Sequence, residues 1–336
     1  MKKYVNPLQL GSLQLRSNVL YSPLAGCSDY PFRQMVARYR PGLMYCEMVK
    51  MDALIRHDPN TYRFLDYDAS MRPIGAQICG SKPSLAGPCA KIIEDLGFDI
   101  IDLNCGCPVD KVTKDGSGSG LLKTPDLIGE ILANMIAAVK IPVTVKIRAG
   151  WDDDHINATD ITQIAEAAGA KAIAIHGRTR VQKYTGRSNR ATIRACKQTA
   201  KSILVIGNGD VFTAQDGLDL FADTGCDAIL ISRGTMGTPW IAQQIEALDQ
   251  AKPLSPLTGN TCKEALLKHF SFILAYQSDK KALIDLRRIG CWYLRPWRGT
   301  KQLRCALNTA TTVAAAKALI HHYDWSQVDV PNKPQT

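Results

Sequence analysis

The chain has 336 residues, 46% of them hydrophobic, and a formal net charge of +10 at pH 7. This composition supports a large buried core and excludes disorder over most of the length. No apolar run approaches the roughly 20 residues of a membrane span, the first 16 residues carry no apolar block of a signal peptide, and the eleven scattered cysteines read as buried core residues, so a cytoplasmic protein is expected.

Short apolar runs recur at 19–22, 43–46, 74–76, 100–103, 143–145, 172–175, 204–206 and 228–231. Between them lie helical patterns, such as 125–139 and 159–168, with apolar residues at three- and four-residue spacing. Gly97, Gly169 and Gly225 follow helical stretches where a left-handed cap belongs. Eight alternations of strand and helix, with strands too apolar for a half-exposed sheet, predict an α/β fold: a parallel (β/α)8 TIM barrel. An open doubly wound sheet is the competitor. The residues just past the eight runs favour the barrel: Pro23, Glu47, Gln77, Asn104, Lys146, His176, Asn208 and Arg233. A buried parallel strand has no structural reason to end in a polar group, whereas a barrel gathers all eight ends around one mouth.

Two late turns suggest an anion grip. Run seven leads into Gly207-Asn208-Gly209-Asp210 and run eight into Ser232-Arg233-Gly234. Glycines let backbone N–H groups approach a phosphate, Arg233 adds charge, and barrels often hold phosphate after strands seven and eight. Thr238-Pro239 reads as the start of the following helix. A bound flavin accounts for the rest of the ring: Lys146 suits an anionic reduced flavin, and Gln77 and Asn104 could read its polar edge. An interior salt bridge from Lys146 to Glu47 or Asp102 is the alternative. The Gly- and Ser-rich 116–120 stretch lacks G-x-G-x-x-G spacing. It reads as a mobile loop, so a nicotinamide would visit without a Rossmann domain.

Asn104-Cys105-Gly106-Cys107-Pro108 follows run four. No second cysteine pair or histidine stands at ligand spacing, so no metal is expected. A thiol with a free pKa of roughly 8.5 suits acid chemistry at a barrel mouth. Here the sequence resembles the tRNA-dihydrouridine synthases. The matching stretches are 23–29 (PLAGCSD), Glu47-Met48, 77–80 (QICG), 102–108 (DLNCGCP), 145–148 (VKIR), 176–180 (HGRTR) and 208–210 (NGD). The resemblance implies an FMN-binding barrel, NADPH as reductant, and reduction of the uracil C5=C6 bond in folded tRNA. It implies Cys107 as proton donor to C5, with hydride reaching C6 from the flavin. It implies FMN contacts from Pro23, Leu24, Ala25, Gln77, Lys146, Asn208, Gly209, Asp210, Ser232 and Arg233, with His176 against the flavin and Arg178 near the RNA. Ser232 stands where the family usually has glycine, and Arg287-Arg288-Ile289 replaces a more usual Arg-Lys-His.

The charge is uneven. Residues 1–250 carry 28 Lys and Arg against 26 Asp and Glu; residues 251–336 carry 13 against 5. The basic end suggests a polyanionic partner, with a solvated helical surface as the competing reading. Segment 178–201 holds eight Lys and Arg, among them Arg178, Arg180 and Lys183, and no acid. Arg287, Arg288, Arg295 and Arg298 interleave with Trp292, Tyr293 and Trp297, as in RNA-contacting surfaces; one of Trp292 and Tyr293 is expected in the helical core instead. The expected organisation is a catalytic barrel over 1–250, a linker over 251–260, a small all-α tRNA-binding domain over 261–324 and a tail over 325–336. Two other readings stay open: a dihydroorotate-dehydrogenase-like flavoprotein acting on a free pyrimidine, and a non-enzymatic RNA-binding module.

Overall fold

The computed structural model describes residues 3–254 and 256–328. A short antiparallel pair, β1 (Leu8–Leu10) and β2 (Leu13–Leu15), precedes eight parallel strands. These are β3 (Val19–Tyr21), β4 (Met44–Lys50), β5 (Ile74–Cys79), β6 (Ile100–Cys105), β7 (Val143–Arg148), β8 (Ala172–His176), β9 (Leu204–Asn208) and β10 (Ala228–Ile231). Their order is β3-β10-β9-β8-β7-β6-β5-β4. The remaining gap is closed where Leu20 pairs with Leu43 and the Tyr21 N–H donates to the Leu43 carbonyl at 2.9 Å. The sheet is therefore a (β/α)8 barrel, and the open doubly wound sheet is excluded.

Ten helices accompany the strands: α1 (Tyr30–Ala37), α2 (Met51–Ile55), α3 (Pro59–Phe64), α4 (Pro83–Asp95), α5 (Asp110–Thr113), α6 (Pro125–Ala138), α7 (Ala158–Ala168), α8 (Arg190–Thr199), α9 (Ala214–Thr224) and α10 (Ile241–Asp249). β5 and β6 are buried along their whole length, which is why their sequences do not alternate. Local chemistry sets the helix starts. Asp29 caps α1 by accepting from the Phe32 N–H at 3.0 Å, and Thr213 with Asp216 forms a capping box on α9.

Four features of the barrel depart from the sequence reading. The β1–β2 hairpin has no counterpart in it, because two three-residue Leu-Gln-Leu strands are too short to show a period; Leu10 and Leu15 join Leu20, Ile100, Ala172 and Ala228 in one buried cluster at the amino-terminal end of the barrel. Backbone pairing outruns apolarity, so Glu47, Gln77, Asn104, Lys146, His176 and Asn208 lie inside their strands and not after them. The 116–120 stretch, expected to be mobile, leads into a 3-10 turn (Gly118–Lys123) whose residues through Leu122 are buried. Finally, the helix after strand eight starts at Ile241, two residues late, because the Thr238 hydroxyl bonds back to the Gly234 carbonyl.

Helices α11 (Gly259–Tyr276), α12 (Asp279–Leu294), α13 (Lys301–Thr309) and α14 (Val313–His322) follow. Their apolar faces form a second cluster around Leu266, Phe270, Leu286 and Tyr293, which also takes in Met35 of α1 and Trp240. The bundle thus packs directly on the barrel's helical coat. Trp325, assigned to a tail by the sequence reading, is buried in the same cluster, and its indole N–H donates to the Ile320 carbonyl at 2.8 Å; residues 329–336 of that tail lie outside the described residues. Among the described residues no helix is long and apolar enough to cross a membrane.

Candidate active site

The carboxyl ends of the strands surround a cavity of about 380 Å³, within the usual range for small-molecule sites. Every residue expected at the cofactor lines it: Pro23, Leu24 and Ala25 after β3, Gln77 on β5, Lys146 on β7, His176 on β8, Asn208, Gly209 and Asp210 at β9, and Ser232 and Arg233 after β10. Asn104 and Cys107, from β6 and its loop, line the same space.

The loop that presents Cys107 is held from three sides. Asn104 Oδ1 accepts the N–H of Gly106 at 3.1 Å and that of Cys107 at 2.9 Å. Ser119 donates both its N–H, at 3.1 Å, and its hydroxyl, at 2.8 Å, to the Cys107 carbonyl, so burial of the 116–120 stretch serves this loop. Arg148 Nε donates to the Gly106 carbonyl at 2.9 Å. The thiol of Cys107 stays half-buried at the cavity, while Cys105, two residues earlier, is fully buried in the barrel's main core cluster. Behind Asn104 the polar chain continues: its Nδ2 donates to Gln77 Oε1 at 2.7 Å, Gln77 Nε2 to Asp102 Oδ2 at 2.7 Å, and Thr144 Oγ1 to Asp102 Oδ1 at 2.6 Å. Burial pushes the Asp102 carboxyl up to about 6, against these hydrogen bonds and the Lys146 charge. Gln77 and Asn104, expected to read a ligand, therefore spend most of their amide capacity on each other and on the loop.

Lys146 has no hydrogen-bond or ion-pair partner among the described residues, and neither Glu47 nor Asp102 bridges to it. Glu47 instead accepts from the Gly26 N–H. Burial, followed by the charge of Arg148, brings the Lys146 ammonium down to about 8. His176 is held well below its ordinary value by burial and then by Lys146, Arg148, Arg178 and Arg233. Three cations, Lys146, Arg148 and Arg233, line the cavity against one acidic lining residue, Asp210, an arrangement that attracts an anionic ligand.

The two late turns form a cradle. A Cβ on Gly209, whose φ is +122°, would collide with Ser188 Oγ, and one on Gly234 would collide with the Val211 carbonyl. No hydrogen bond engages the backbone N–H groups of Gly209, Ser232 or Gly234 among the described residues. Close backbone approach and free donors are what a phosphate requires. The Asn208 amide, by contrast, braces the turns by donating to the Leu230 carbonyl and to Ser232 Oγ.

The residues expected at RNA divide into two groups. Arg178 is 2% exposed and doubly paired to Asp210, at 2.7 and 2.8 Å, so it is an internal brace. Arg180 pairs with Asp110 and lies 4.6 Å over Trp151. Of the rest of the basic 178–201 segment, Arg190 pairs with the Asp223 carboxylate and Lys197 with that of Asp227, while Arg194 Nε donates to the Asp223 backbone carbonyl. Arg287 donates to the Ala310 carbonyl at the end of α13, and Arg288 reaches Asp285, Asp29 and the Gly26 carbonyl. Lys183, Arg295 and Arg298 remain exposed, together with Arg187. Tyr293 is core, whereas Trp292 is half-buried beneath Arg288.

Among the cavity residues that the sequence reading did not assign to the site, two carry charge or a polar ring: Arg148 and Tyr184. Arg148, 2% exposed, donates to the Thr179 and Lys183 carbonyls at 2.8 Å each. Its signal was present, since strand periodicity puts it on the same face as Lys146. Tyr184, 54% exposed, is set by the ring contact of Arg233 at 4.6 Å and leaves no sequence signature.

The family model described as Dihydrouridine synthase (Dus) matches residues 20–326. A probable tRNA-dihydrouridine synthase 1 from Synechocystis sp. is 36% identical over 322 residues, covering 94% of this chain and 89% of that protein. The tRNA-dihydrouridine synthase B of Pseudomonas aeruginosa is 34% identical over 319 residues, covering 94% and 95%. Among solved structures, a morphinone reductase variant in complex with tetrahydroNAD superposes with a TM-score of 0.56 at 12% identity, covering 78% of this chain and 94% of that one; the likeness is one of fold.

Proposed function

This chain belongs to the dihydrouridine synthase family, and on that premise we propose that it reduces uridines in tRNA to 5,6-dihydrouridine, using FMN held in the barrel mouth and NADPH as reductant. The observation that carries the reading is the joint presence in one cavity of an unpartnered lysine, Lys146, and a half-buried thiol, Cys107. The donor set suits FMN. The free N–H groups of Gly209, Ser232 and Gly234, with Arg233, would take the phosphate, and Lys146 would face the ring edge that becomes anionic on reduction.

When bound, FMN supplies the hydride. The chain's own residues do the rest. Cys107 gives the proton to C5 of the uracil, from a loop fixed by Asn104, Ser119 and Arg148. Negative charge developing on the base falls among Lys146, Arg148 and the neighbouring arginines, which are already oriented. Pro23, Leu24, Ala25 and His176 complete the wall and limit where a ring can lie. We assign the RNA-binding charge to Lys183, Arg187, Arg295 and Arg298, on the barrel mouth and the helical bundle respectively, with the barrel over about 1–250 and the bundle beyond the linker.

The test uses purified full-length protein with NADPH and unmodified tRNA transcript, and measures dihydrouridine by mass spectrometry. Yellow protein with NADPH-dependent, salt-sensitive conversion of tRNA is expected. Conversion of a free pyrimidine with no effect of tRNA would favour the dihydroorotate-type alternative. Colourless protein that takes up no FMN would favour an RNA-binding module.

A further inference from the structure

We infer that Arg288 is a positioning residue that ties the helical bundle to the wall of the cofactor cavity, in place of the RNA contact its sequence neighbourhood suggests; this rests on reading the cavity as an FMN site. Arg288 sits on α12, and its two terminal nitrogens diverge. Nη1 donates to the Gly26 carbonyl. Nη2 meets Asp285 Oδ1 at 3.1 Å and Asp29 Oδ2 at 3.6 Å. The guanidinium also lies 5.0 Å from the Trp292 ring centre, which leaves the group no free fork for a phosphate.

The far end of this contact is the cavity itself. Ala25 and Cys27 line the cavity on either side of Gly26. The Gly26 N–H is held by Glu47 of β4, so this one residue is gripped from the barrel through its N–H and from the bundle through its carbonyl. Gly26 has φ +73° within a turn whose own hydrogen bonds run from the Cys27 and Ser28 N–H groups to the Leu24 carbonyl, so the N–H and the carbonyl of Gly26 are held only from outside the turn, by Glu47 and Arg288. On the bundle side the anchor is stiff. Asp285 is 1% exposed and also binds Lys281, at 2.5 Å, and Arg287, one residue before Arg288, fixes α12 to the end of α13 through the Ala310 carbonyl. A lysine at 288 could satisfy one of these partners but lacks the planar fork that spans two. A shift of α12 is therefore carried to the 24–27 wall through a contiguous set of hydrogen bonds, which is the physical connection that coupling between an RNA-binding bundle and a cofactor site needs.

The experiment compares wild type, Arg288→Gln, Arg288→Lys and the exposed control Arg298→Gln as full-length proteins. It measures FMN affinity by fluorescence titration without RNA, kcat and KM for tRNA, the salt dependence of tRNA binding, and amide hydrogen exchange across residues 24–28. Arg288→Gln should weaken FMN about tenfold, lower kcat about tenfold, leave KM and the salt slope within twofold of wild type, and raise exchange at 24–28. Arg288→Lys should recover part of the FMN affinity, and Lys281 remains as a counter-charge to Asp285 so that both variants fold. Arg298→Gln should do the reverse, with normal FMN affinity and a flatter salt slope. The inference is overturned if Arg288→Gln keeps wild-type FMN affinity and loop exchange, whether or not it loses tRNA affinity. A wild-type protein with no affinity for FMN would instead sink the flavoprotein reading on which the inference stands.

Discussion

Asn104 Oδ1 and the Cys107 backbone N–H lie 2.9 Å apart, and the same oxygen takes the Gly106 N–H at 3.1 Å. One side chain thus folds the loop that aims the thiol, and it does so from a strand end buried to 8% exposure. The proposed acid is held by a residue that need not touch the base.

Cys107→Ala should retain FMN and tRNA binding yet lose uridine reduction by ~10²–10⁴-fold, the usual contribution of a positioned acid. NADPH oxidation by the bound flavin should continue, because that half-reaction requires no thiol. Cys105→Ala should affect packing only, since that sulfur lies in the core. Near wild-type turnover of tRNA by the Cys107 variant, measured by mass spectrometry, would remove the assignment.

The barrel was legible because seven of the eight apolar runs are followed within two residues by a polar or charged residue, and such residues converge on one mouth only in a closed sheet. Partnership was not legible. Arg178 looks like a surface cation beside Lys183, but its partner Asp210 comes 32 residues later, from the next strand end. Asp223 and Asp227, which neutralise the α8 cations, likewise sit across the α8–α9 boundary. A basic run in one segment says nothing of acids that the fold brings from another. The brief β1–β2 pair stayed hidden for a different reason, because three-residue strands show no period and their leucines are buried only in a cluster that the fold assembles.

Lys146 links function and stability with opposite signs. A half-buried ammonium without a paired carboxylate disfavours the folded cofactor-free protein, as its fall to about 8 indicates. The sign follows from the direction: the unfolded chain keeps this proton to higher pH, so the cofactor-free protein gains stability as pH rises from about 8 toward the free-lysine range. Lys146→Met should therefore raise the Tm of the cofactor-free protein while weakening FMN and slowing flavin reduction. A lower Tm together with unchanged FMN affinity would show that the lysine serves packing.

The Arg178–Asp210 pair supplies a third expectation. Asp210→Ala leaves a guanidinium that is 3% exposed without its carboxylate. Stranding a buried charge costs about 3–5 kcal/mol, so a large fall in denaturant midpoint is expected. Arg178→Gln should also destabilise while leaving the salt slope of tRNA binding intact. A flatter slope in a fully folded Arg178→Gln protein would return this residue to the RNA surface.

His269 should govern part of the acid response. It is 1% exposed, its Nδ1 lies 3.3 Å from Tyr293 Oη, and its Nε2 has no partner among the described residues. Burial, then the Arg288 charge, pushes it down to about 3. The unfolded chain takes up this proton near pH 6.5 and the folded one does not, so stability is lost as pH falls from about 6.5 toward 3, by at most about 1.4 kcal/mol per unit. Glu47 and Asp29, whose carboxyls burial raises, work in the opposite direction in both proteins and cancel in the comparison. His269→Phe should show a shallower fall of Tm between pH 6.5 and 4; equal slopes would place the acid sensitivity elsewhere.

The exposed cations provide the last expectation. Lys183 and Arg187 lie on the segment that leaves β8 at the barrel mouth, and Arg295 and Arg298 lie at and beyond the end of α12. None has an acidic partner among the described residues, in contrast to Arg178, Arg180, Arg190 and Lys197. An unpaired surface cation can release counter-ions from a phosphate without first breaking a protein contact, and each such contact adds ~0.7–0.9 to the log–log salt slope. Replacing all four by Gln should flatten that slope by roughly three units, with FMN affinity and Tm unchanged because none of the four braces the cavity or the core. Replacing Arg190, Arg194 and Lys197 instead should leave the slope almost intact and lower the Tm modestly, since these cations face Asp223 and Asp227. Splitting the four into pairs then locates the footprint. If only Arg295 and Arg298 matter, the bundle holds the RNA and the barrel mouth merely receives the base; if only Lys183 and Arg187 matter, the bundle is a structural cap. An unchanged slope in the fourfold variant would mean that tRNA is held by other cations, and would remove the assignment of all four.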